Sequence, residues 1–244
     1  TYTGTFLLGC VTSTDDCTGE ILRETDVDQN LVTRESVSAL LPEFTGNINQ
    51  VPPKFSAVHV NGKRAYKLAR QGREVELLPR PVQIHRLELT AFKMPEFELQ
   101  IDCGSGTYVR SLGRDIGERV GCGATMKSLS RSAIGVFSLE KATPPNQLSP
   151  ENIESLVLPP ITALAHLPTF QISDKQKERV YDGREIEVDS ISGLAADSTA
   201  DSESSARLIL VDANHQLVAV STYNSNNETA KPDMVFHDPP RDWR

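Results

Sequence analysis

The segment Gly104–Leu112, GSGTYVRSL, places a phenol and a guanidinium where a strand ends and a helix begins. An alternating run, ELQIDC, precedes it, and a helical pattern, LGRDIGERVGCG, follows. Glycine lets the chain turn sharply between two such elements. A guanidinium at the start of the helix is suited to bind a carboxylate or a phosphate in a fixed geometry. Arg110 therefore predicts an anionic partner, either in this chain or in a ligand.

Other catalytic patterns are absent from the sequence. It contains no G-x-S-x-G, no P-loop and no dinucleotide fingerprint, its five histidines are scattered, and none of its four cysteines form a C-x-x-C pair. We therefore expect reduced thiols, no metal site and no cofactor. Asp15 and Asp16 are adjacent in a polar turn, VTSTDDCTGE. Such a carboxylate pair either belongs to a site or caps the turn, and the local sequence favours the cap.

Composition indicates a packed protein with one unusual charge cluster. The chain has 244 residues, of which 38% are hydrophobic and 24% charged, and its net charge of −8 argues against a nucleic-acid partner. Lys54–Arg86, however, contains eight basic and only two acidic residues. Because salt screens charges beyond about 10 Å, phosphate attraction is local. The cluster is either an RNA-binding patch or the solvated face of a helix.

The periodicity of residues 1–139 predicts alternating strands and helices without a strict βαβ rhythm. TYTGTFLLG, FSAVHV, PVQIHRLELTAF, FELQIDC and IGVFSL read as strands. TRESVSALLPEF, with Thr33 as N-cap, and KRAYKLARQG read as helices, and Ser111–Val120 followed by Gly121 is the clearest helix. This pattern predicts a mixed sheet with helices packed on it.

The chain after Pro160 has a different sequence pattern, with short β-prone runs separated by turns. SDKQKERVYDG reads as a short helix with Ser173 as N-cap, and REIEV, ARLILVD, QLVAVSTY and DMVFH read as short strands. Between the first two of these strands, a segment rich in Ser, Ala and Asp predicts a disordered acidic loop near 190–206. We therefore predict one domain over 1–165 and a small β-rich domain over 166–244.

Two long motifs identify a family resemblance. QVPPKFSAVHVNGKRAYKLARQG and CGSGTYVRSLGRDIGERVGCGATMKSLSRSAIGVF occur in this order, separated by two strands. They resemble the bacterial TruB pseudouridine synthases, which isomerise uridine in the T-loop of tRNA. The resemblance runs from Tyr2 to about Leu139 and continues more weakly through ALAHLP and KPDMVF. It implies an α+β fold with a mixed, mainly antiparallel sheet, packed helices and a PUA-like C-terminal domain.

The resemblance also implies roles for individual residues. Tyr2 matches a tyrosine that contacts the target base, and Asp16 matches a carboxylate that supports the active-site network. Tyr108 and Arg110 match the G-T-Y-x-R motif, and Leu129 matches an apolar residue against the uracil. A flipped base is held by stacking and by contacts at its edges, which these residue types can supply. The residues expected to bind the RNA backbone are Lys54, Lys63, Arg64, Lys67, Arg70 and Arg73.

One element of the family pattern is not found in these residues. In the family, the arginine of G-T-Y-x-R pairs with a nucleophilic aspartate in G-x-L-D-P-x-A-x-G, upstream of the strand that matches Tyr2. That motif does not occur in the 244 residues. We therefore expect that the partner of Arg110 is missing, that the chain is cut from a longer protein, and that it makes no pseudouridine alone.

Two alternatives remain open at this point. The chain could be a catalytically inactive RNA-binding or tRNA-folding module, or it could belong to the guide-RNA-dependent archaeal and eukaryotic branch. The segment RQGREVELLPRPVQI favours the bacterial type. The expected partner is the T-arm of tRNA. We also expect a cytoplasmic monomer without a membrane partner, because no apolar run approaches the ~20 residues of a membrane span.

Overall fold

The computed structural model describes residues 1–60, 62–72, 77–188 and 205–237. The backbone divides into two compact units, Thr1–Ile134 with Ser138–Lys141 and Gly135–Phe137 with Ala142–Arg244. The predicted domain boundary at residue 165 lies inside the second of these units. The assignment of domains to 1–165 and 166–244 therefore stays a prediction.

The first unit is built on a five-stranded antiparallel sheet with two small hairpins. Its strands are β1 (Tyr2–Leu8), β2 (Cys10–Thr12), β3 (Ile21–Glu24), β4 (Gly46–Gln50), β5 (His59–Val60), β6 (Lys63–Arg64), β7 (Arg80–Lys93), β8 (Glu96–Cys103) and β9 (Ala124–Arg131). The order across the large sheet is β4-β7-β8-β1-β9, and β2 with β3 and β5 with β6 form the hairpins.

The first unit contains three helices, and the predicted N-cap of α1 and C-terminal glycine of α3 are confirmed. Thr33 caps α1 (Arg34–Leu40) through a reciprocal capping box with Ser36, and a 3₁₀ turn containing Pro42 follows. Helix α2 (Ala65–Ala69) is shorter than predicted. Helix α3 (Val109–Val120) ends at Gly121, whose φ of 97° is the left-handed conformation that glycine adopts readily.

Helix α3 packs directly on the apolar face of the sheet. Alternate residues of a strand point to the same side, so Tyr2, Gly4 and Phe6 of β1 share one face. Phe6 and its register partner Phe97 are almost completely buried, and their rings stack with centroids 5.1 Å apart. A Cβ added at Gly113 of α3 would lie 2.1 Å from the Phe6 ring. Glycine is therefore needed for this close approach.

Two predicted strands differ in the structure. FSAVHV is a strand only at β5, because the carbonyls of Ser56 and Val58 bind the N–H groups of Tyr66 and Ala65 and not a neighbouring strand. IGVFSL breaks into β10 (Ala133–Ile134) and β11 (Phe137–Ser138). The long return strand is β9, which was missed because most of its residues are exposed and it shows no apolar alternation.

The second unit confirms most of the predicted β-rich pattern. Its elements are α4 (Ile153–Leu156), β12 (Thr169–Gln171), α5 (Asp174–Tyr181), β13 (Ile186–Glu187), β14 (Ser205–Val211), β15 (Leu217–Asn224) and β16 (Thr229–Val235). They form a sheet in the order β12-β14-β15-β16-β13, with β12 and β14 parallel. Ser173 caps α5 as predicted, whereas β12 was not predicted.

The predicted acidic loop lies mainly outside the described residues. Its last two residues, Ser205 and Ala206, begin β14 and therefore do not belong to a loop. Among the described residues, no helix is long and apolar enough to cross a membrane. That same part of the chain contains no group of three or more His, Cys, Asp or Glu side chains placed to hold a metal ion.

Candidate active site

Arg110 projects from the first turn of α3 onto the polar turn between β2 and β3. Its Nη1 donates to Asp16 Oδ2 at 2.8 Å and to the carbonyl of Thr14 at 3.1 Å. Its Nη2 donates to the carbonyl of Phe55 at 3.2 Å. The side chains of Arg110 and Asp16 are 24% and 16% exposed, respectively. Arg110 thus joins the helix, the polar turn and the segment that precedes β5 through a partly buried, charge-assisted contact.

The expectation that the partner of Arg110 is missing is therefore wrong. Asp16 was assigned to a supporting network, and its local sequence favoured a turn cap. The structure shows that one carboxylate makes both the cap and the ion pair. While Oδ2 binds Arg110, Oδ1 accepts hydrogen bonds from the backbone N–H of Thr18 at 3.0 Å, from the Thr18 hydroxyl and from the Thr14 hydroxyl at 2.7 Å. The predicted cap and an intramolecular ion pair coexist.

The neighbouring carboxylate binds a second arginine of α3. Arg114 donates from Nη1 to Asp15 Oδ2 at 2.9 Å and from Nε to Asp115 Oδ1 at 2.8 Å. Its Nη2 donates to the carbonyl of Val51 at 2.8 Å. Asp15 is buried, with 8% of its surface exposed. Two adjacent carboxylates of the turn are thus matched by two arginines one helical turn apart.

The two carboxyl groups of the turn have pKa values shifted in opposite directions. Burial would raise the pKa of Asp16, but hydrogen bonds from Thr18, Thr14 and Arg110 together lower it below its usual value. Burial raises the pKa of Asp15 above its usual value, although the positive charges of Arg114 and Arg110 oppose the shift. Asp16 is therefore held as the anion that faces Arg110.

Gln50, at the end of β4, fixes the backbone of Tyr108. Gln50 is 2% exposed. Its Nε2 donates to the carbonyl of Tyr108 at 3.1 Å, and its Oε1 accepts from the N–H of Tyr108 at 2.8 Å. Because Tyr108 immediately precedes α3, this pair of hydrogen bonds sets the direction in which the helix begins. The two residues also border a pocket of about 240 Å³, whose other lining residues are Pro52, Val58, Arg80, Pro81, Val82 and Gly106.

Tyr2 and Leu129 share the sheet face on which α3 packs. Leu129 is the register partner of Gly4, and a Cβ added at Gly4 would lie 3.5 Å from Leu129 Cδ1. Tyr2 is partly buried against the core. Leu129 is 42% exposed, so it is not a core residue. Within the residues that the structure describes, the Tyr2 hydroxyl makes no hydrogen bond to Arg110 or Asp16.

This arrangement is suited to binding more than to nucleophilic attack. The carboxylate of Asp16 already accepts hydrogen bonds from three side chains, and such contacts stabilise the anion and lower its reactivity. The exposed apolar surface of Leu129 and the aromatic rings of Tyr2 and Tyr108 are suited to contact a flat, uncharged ring.

The comparisons with known proteins decide the family. Residues 1–109 match the N-terminal domain of TruB family pseudouridylate synthases. The chain is 39% identical over 209 residues to tRNA pseudouridine synthase B of Dehalococcoides mccartyi strain CBDB1, covering 84% of this chain and 69% of the relative. It is 36% identical over 253 residues to the Prochlorococcus marinus strain MIT 9313 protein of the same name, covering 97% and 78%. This chain belongs to the TruB family.

A solved structure confirms the fold class of this TruB family chain. A chain in the crystal structure of a Cbf5–Nop10–Gar1 complex superposes with a TM-score of 0.68 at 22% identity, covering 99% of this chain and 67% of that chain. The predicted α+β class, with a mainly antiparallel sheet and packed helices, is therefore confirmed.

The basic cluster of this TruB family chain lies around β5, β6 and α2. Lys54, Lys63, Arg64, Lys67 and Arg70 are all exposed. The guanidinium of Arg70 lies 5.5 Å from the centre of the Tyr66 ring, a cation–π distance. Arg73 lies outside the described residues. Exposure fits both an RNA-binding patch and a solvated helix face, so the role of these cations stays a prediction.

Two features of the TruB family site were missed in the sequence. Gln50 is the first residue of the motif that begins QVPPKF, but the sequence did not show that its side chain would bind the backbone of Tyr108. The pair Asp15 and Arg114 had a signal, because Arg110 and Arg114 are four residues apart and therefore face the same side of a helix. Two arginines at this spacing, with two adjacent aspartates elsewhere, could have predicted the double ion pair.

Proposed function

We propose that this protein isomerises uridine to pseudouridine in the T-arm of tRNA. The observation that carries the proposal is membership of the TruB family, with relatives named tRNA pseudouridine synthase B. The family assignment does not favour the alternative of a catalytically inactive RNA-binding module. The restriction to the T-arm, the monomeric state and the cytoplasmic location stay predictions.

The site residues have complementary roles in this proposal. Tyr2 stacks on the flipped uracil and Leu129 forms an apolar wall beside it, which agrees with the exposed side chain of Leu129. Arg110, held by Asp16, directs its positive charge into the site. The nucleophile is the aspartate of the family's G-x-L-D-P-x-A-x-G motif, which these residues do not contain. The exposed cations around α2 bind backbone phosphates.

The test is release of tritium from tRNA labelled at carbon 5 of uridine. Isomerisation replaces the N1–C1′ bond with a C5–C1′ bond, so the hydrogen at C5 leaves as a proton. We expect release by a longer form that includes the G-x-L-D-P-x-A-x-G segment, and none by the 244-residue chain. If the longer form binds tRNA but releases no tritium, the protein is a binding module and the proposal fails.

RNA binding by the cations is tested separately. Replacing Lys63, Arg64 and Lys67 by glutamine should weaken binding of a T-arm hairpin and reduce the slope of log K against log salt by about 2–3. The matched control replaces three other exposed cations, Lys93, Lys141 and Lys231. Equal losses in both variants would show that only the total charge matters, which contradicts a specific patch.

A further inference from the structure

Arg114 repeats, one turn further along α3, the contacts that Arg110 makes. In each arginine, Nη1 donates to a carboxylate of the polar turn, Asp15 or Asp16. In each, Nη2 donates to a backbone carbonyl of the segment 51–55. The two arginines therefore form parallel connections between the same three parts of the chain.

The polar turn is shaped so that both of its carboxylates face α3. Asp15 has a φ of 61°, in the left-handed region that aspartate tolerates better than most residues. Its N–H donates to the carbonyl of Thr12 at 3.3 Å, and its carbonyl accepts from the N–H of Met126 at 3.0 Å. Consecutive residues in extended backbone would point to opposite sides. The left-handed residue instead directs both side chains toward the helix.

Two connections constrain the turn in a way that one cannot. Residues four apart on a helix are separated by about 6 Å along its axis. Backbone hydrogen bonds of Asp15 and Cys17 to Met126 already hold the turn to β9. Arg114 adds a second connection, about 6 Å further along α3, from the helix to this turn and to residues 51–55. Arg114 is itself oriented by Asp115, which accepts from its Nε.

We propose that Asp15 and Arg114 are positioning residues for the uridine isomerisation: they hold the polar turn and residues 51–55 in register with α3 and thereby fix the direction of the Arg110 guanidinium. The catalytic meaning rests on the proposed function, whereas the positioning is a property of this chain alone. Neither residue is required to touch the substrate.

The burial of the pair distinguishes it from an ordinary surface ion pair. The side chains of Arg114 and Asp15 are 21% and 12% exposed, close to the values for Arg110 and Asp16. Arg119, on the same helix, pairs with Glu43 at the same distance of 2.9 Å, but these side chains are 57% and 48% exposed. Arg119 is therefore a matched control that removes a cation from α3 without touching the polar turn.

The test measures hydrogen exchange of the Arg110 guanidinium by ¹⁵N NMR in the 244-residue chain. We expect Asp15→Asn and Arg114→Gln to accelerate this exchange about tenfold, as expected for weakening one hydrogen bond. Arg114→Lys should give an intermediate rate, because its ammonium can replace one of the two contacts. Arg119→Gln should leave the rate unchanged. If a neutral variant fails to fold, Arg114→Lys, which keeps the charge, decides the question.

Unchanged exchange at Arg110 in folded Asp15→Asn and Arg114→Gln would overturn the inference, and so would equal acceleration by Arg119→Gln. A second measurement uses tritium release by the longer form. There, Asp15→Asn should lower kcat about tenfold or more with little change in KM, because RNA binding depends on other residues. A change in KM alone would contradict positioning. If the unaltered longer form releases no tritium, the proposed function fails, while the exchange measurement still tests the positioning.

Discussion

Arg110→Met in the 244-residue chain tests whether the Asp16 ion pair stabilises the first unit. The substitution keeps much of the side-chain volume but removes three hydrogen bonds, to Asp16 and to the carbonyls of Thr14 and Phe55. It leaves the carboxylate of Asp16, which is 16% exposed, without its cation. The direction of the effect is therefore destabilising.

The magnitude follows from the burial of the pair. Breaking a fully buried pair costs about 3–5 kcal/mol, and a hydrogen bond to a charged group contributes about 1.5–3 kcal/mol. This pair is partly exposed, and Asp16 keeps the hydrogen bonds of Thr14 and Thr18. We therefore expect the free energy of unfolding to fall by about 2–3 kcal/mol. Arg119→Met, which breaks an exposed pair on the same helix, should cost much less.

The assay is urea unfolding followed through the NMR signals of backbone amides in β1 and β8, because these strands report the first unit alone. A double-mutant cycle with Asp16→Asn separates the pairwise contribution from other effects of the substitution. If Arg110→Met costs no more than Arg119→Met, or if the cycle gives no coupling with Asp16, the ion pair does not stabilise this unit.

Three further predictions concern the same unit. Leu129→Ala should lower the free energy of unfolding by less than about 1 kcal/mol, because Leu129 is 42% exposed. It should nevertheless reduce tritium release by the longer form. A loss of stability without a loss of turnover would contradict contact with the base. Gly113→Ala should lower the free energy of unfolding by about 3 kcal/mol or more, since the new Cβ would lie 2.1 Å from the Phe6 ring. A melting temperature close to that of the parent chain would refute this packing. The folded pKa of Asp16 lies below its usual value, so its ionised form contributes stability that is present above the usual pKa and is lost as the pH falls through the folded pKa. The stability difference between the parent chain and Asp16→Asn should therefore shrink as the pH falls below the usual pKa of an aspartate. A difference that stays constant as the pH falls would falsify the assignment.

The sequence predicted those parts of the fold that local rules determine. Thr33 and Ser173 appear as N-caps and Gly121 as a C-terminal glycine because each acts on its own few residues. Strand β9 was missed because its exposed residues break the alternation that identifies a strand. FSAVHV was predicted as one strand from its residue types. The prediction was wrong because the carbonyls of Ser56 and Val58 bind the N–H groups of Tyr66 and Ala65, which sequence periodicity does not reveal.

The site residues stay predictions, and the sequence did not predict how they are connected. The family resemblance placed Arg110 and Asp16 in one site, but it assigned the partner of Arg110 to a segment that is absent from these residues. The structure shows that 94 positions separate the two ends of the actual ion pair. A contact between residues so far apart in the chain forms only when α3 packs on the sheet. That packing depends on many apolar contacts across the unit, and no short motif encodes it. The contact between Gln50 and Tyr108 was missed for the same reason.

The glycines of α3 affect how this protein can change during evolution. Added Cβ atoms would lie 2.1 Å from the Phe6 ring at Gly113 and 2.2 Å from the backbone nitrogen of Ala124 at Gly117. The spacing between helix and sheet is therefore set by two contacts of the helix backbone. Gly113 contacts the Phe6 ring, and Gly117 contacts the backbone of Ala124. A side chain at either position would push α3 away from the sheet and would therefore displace Arg110, which lies on the same helix.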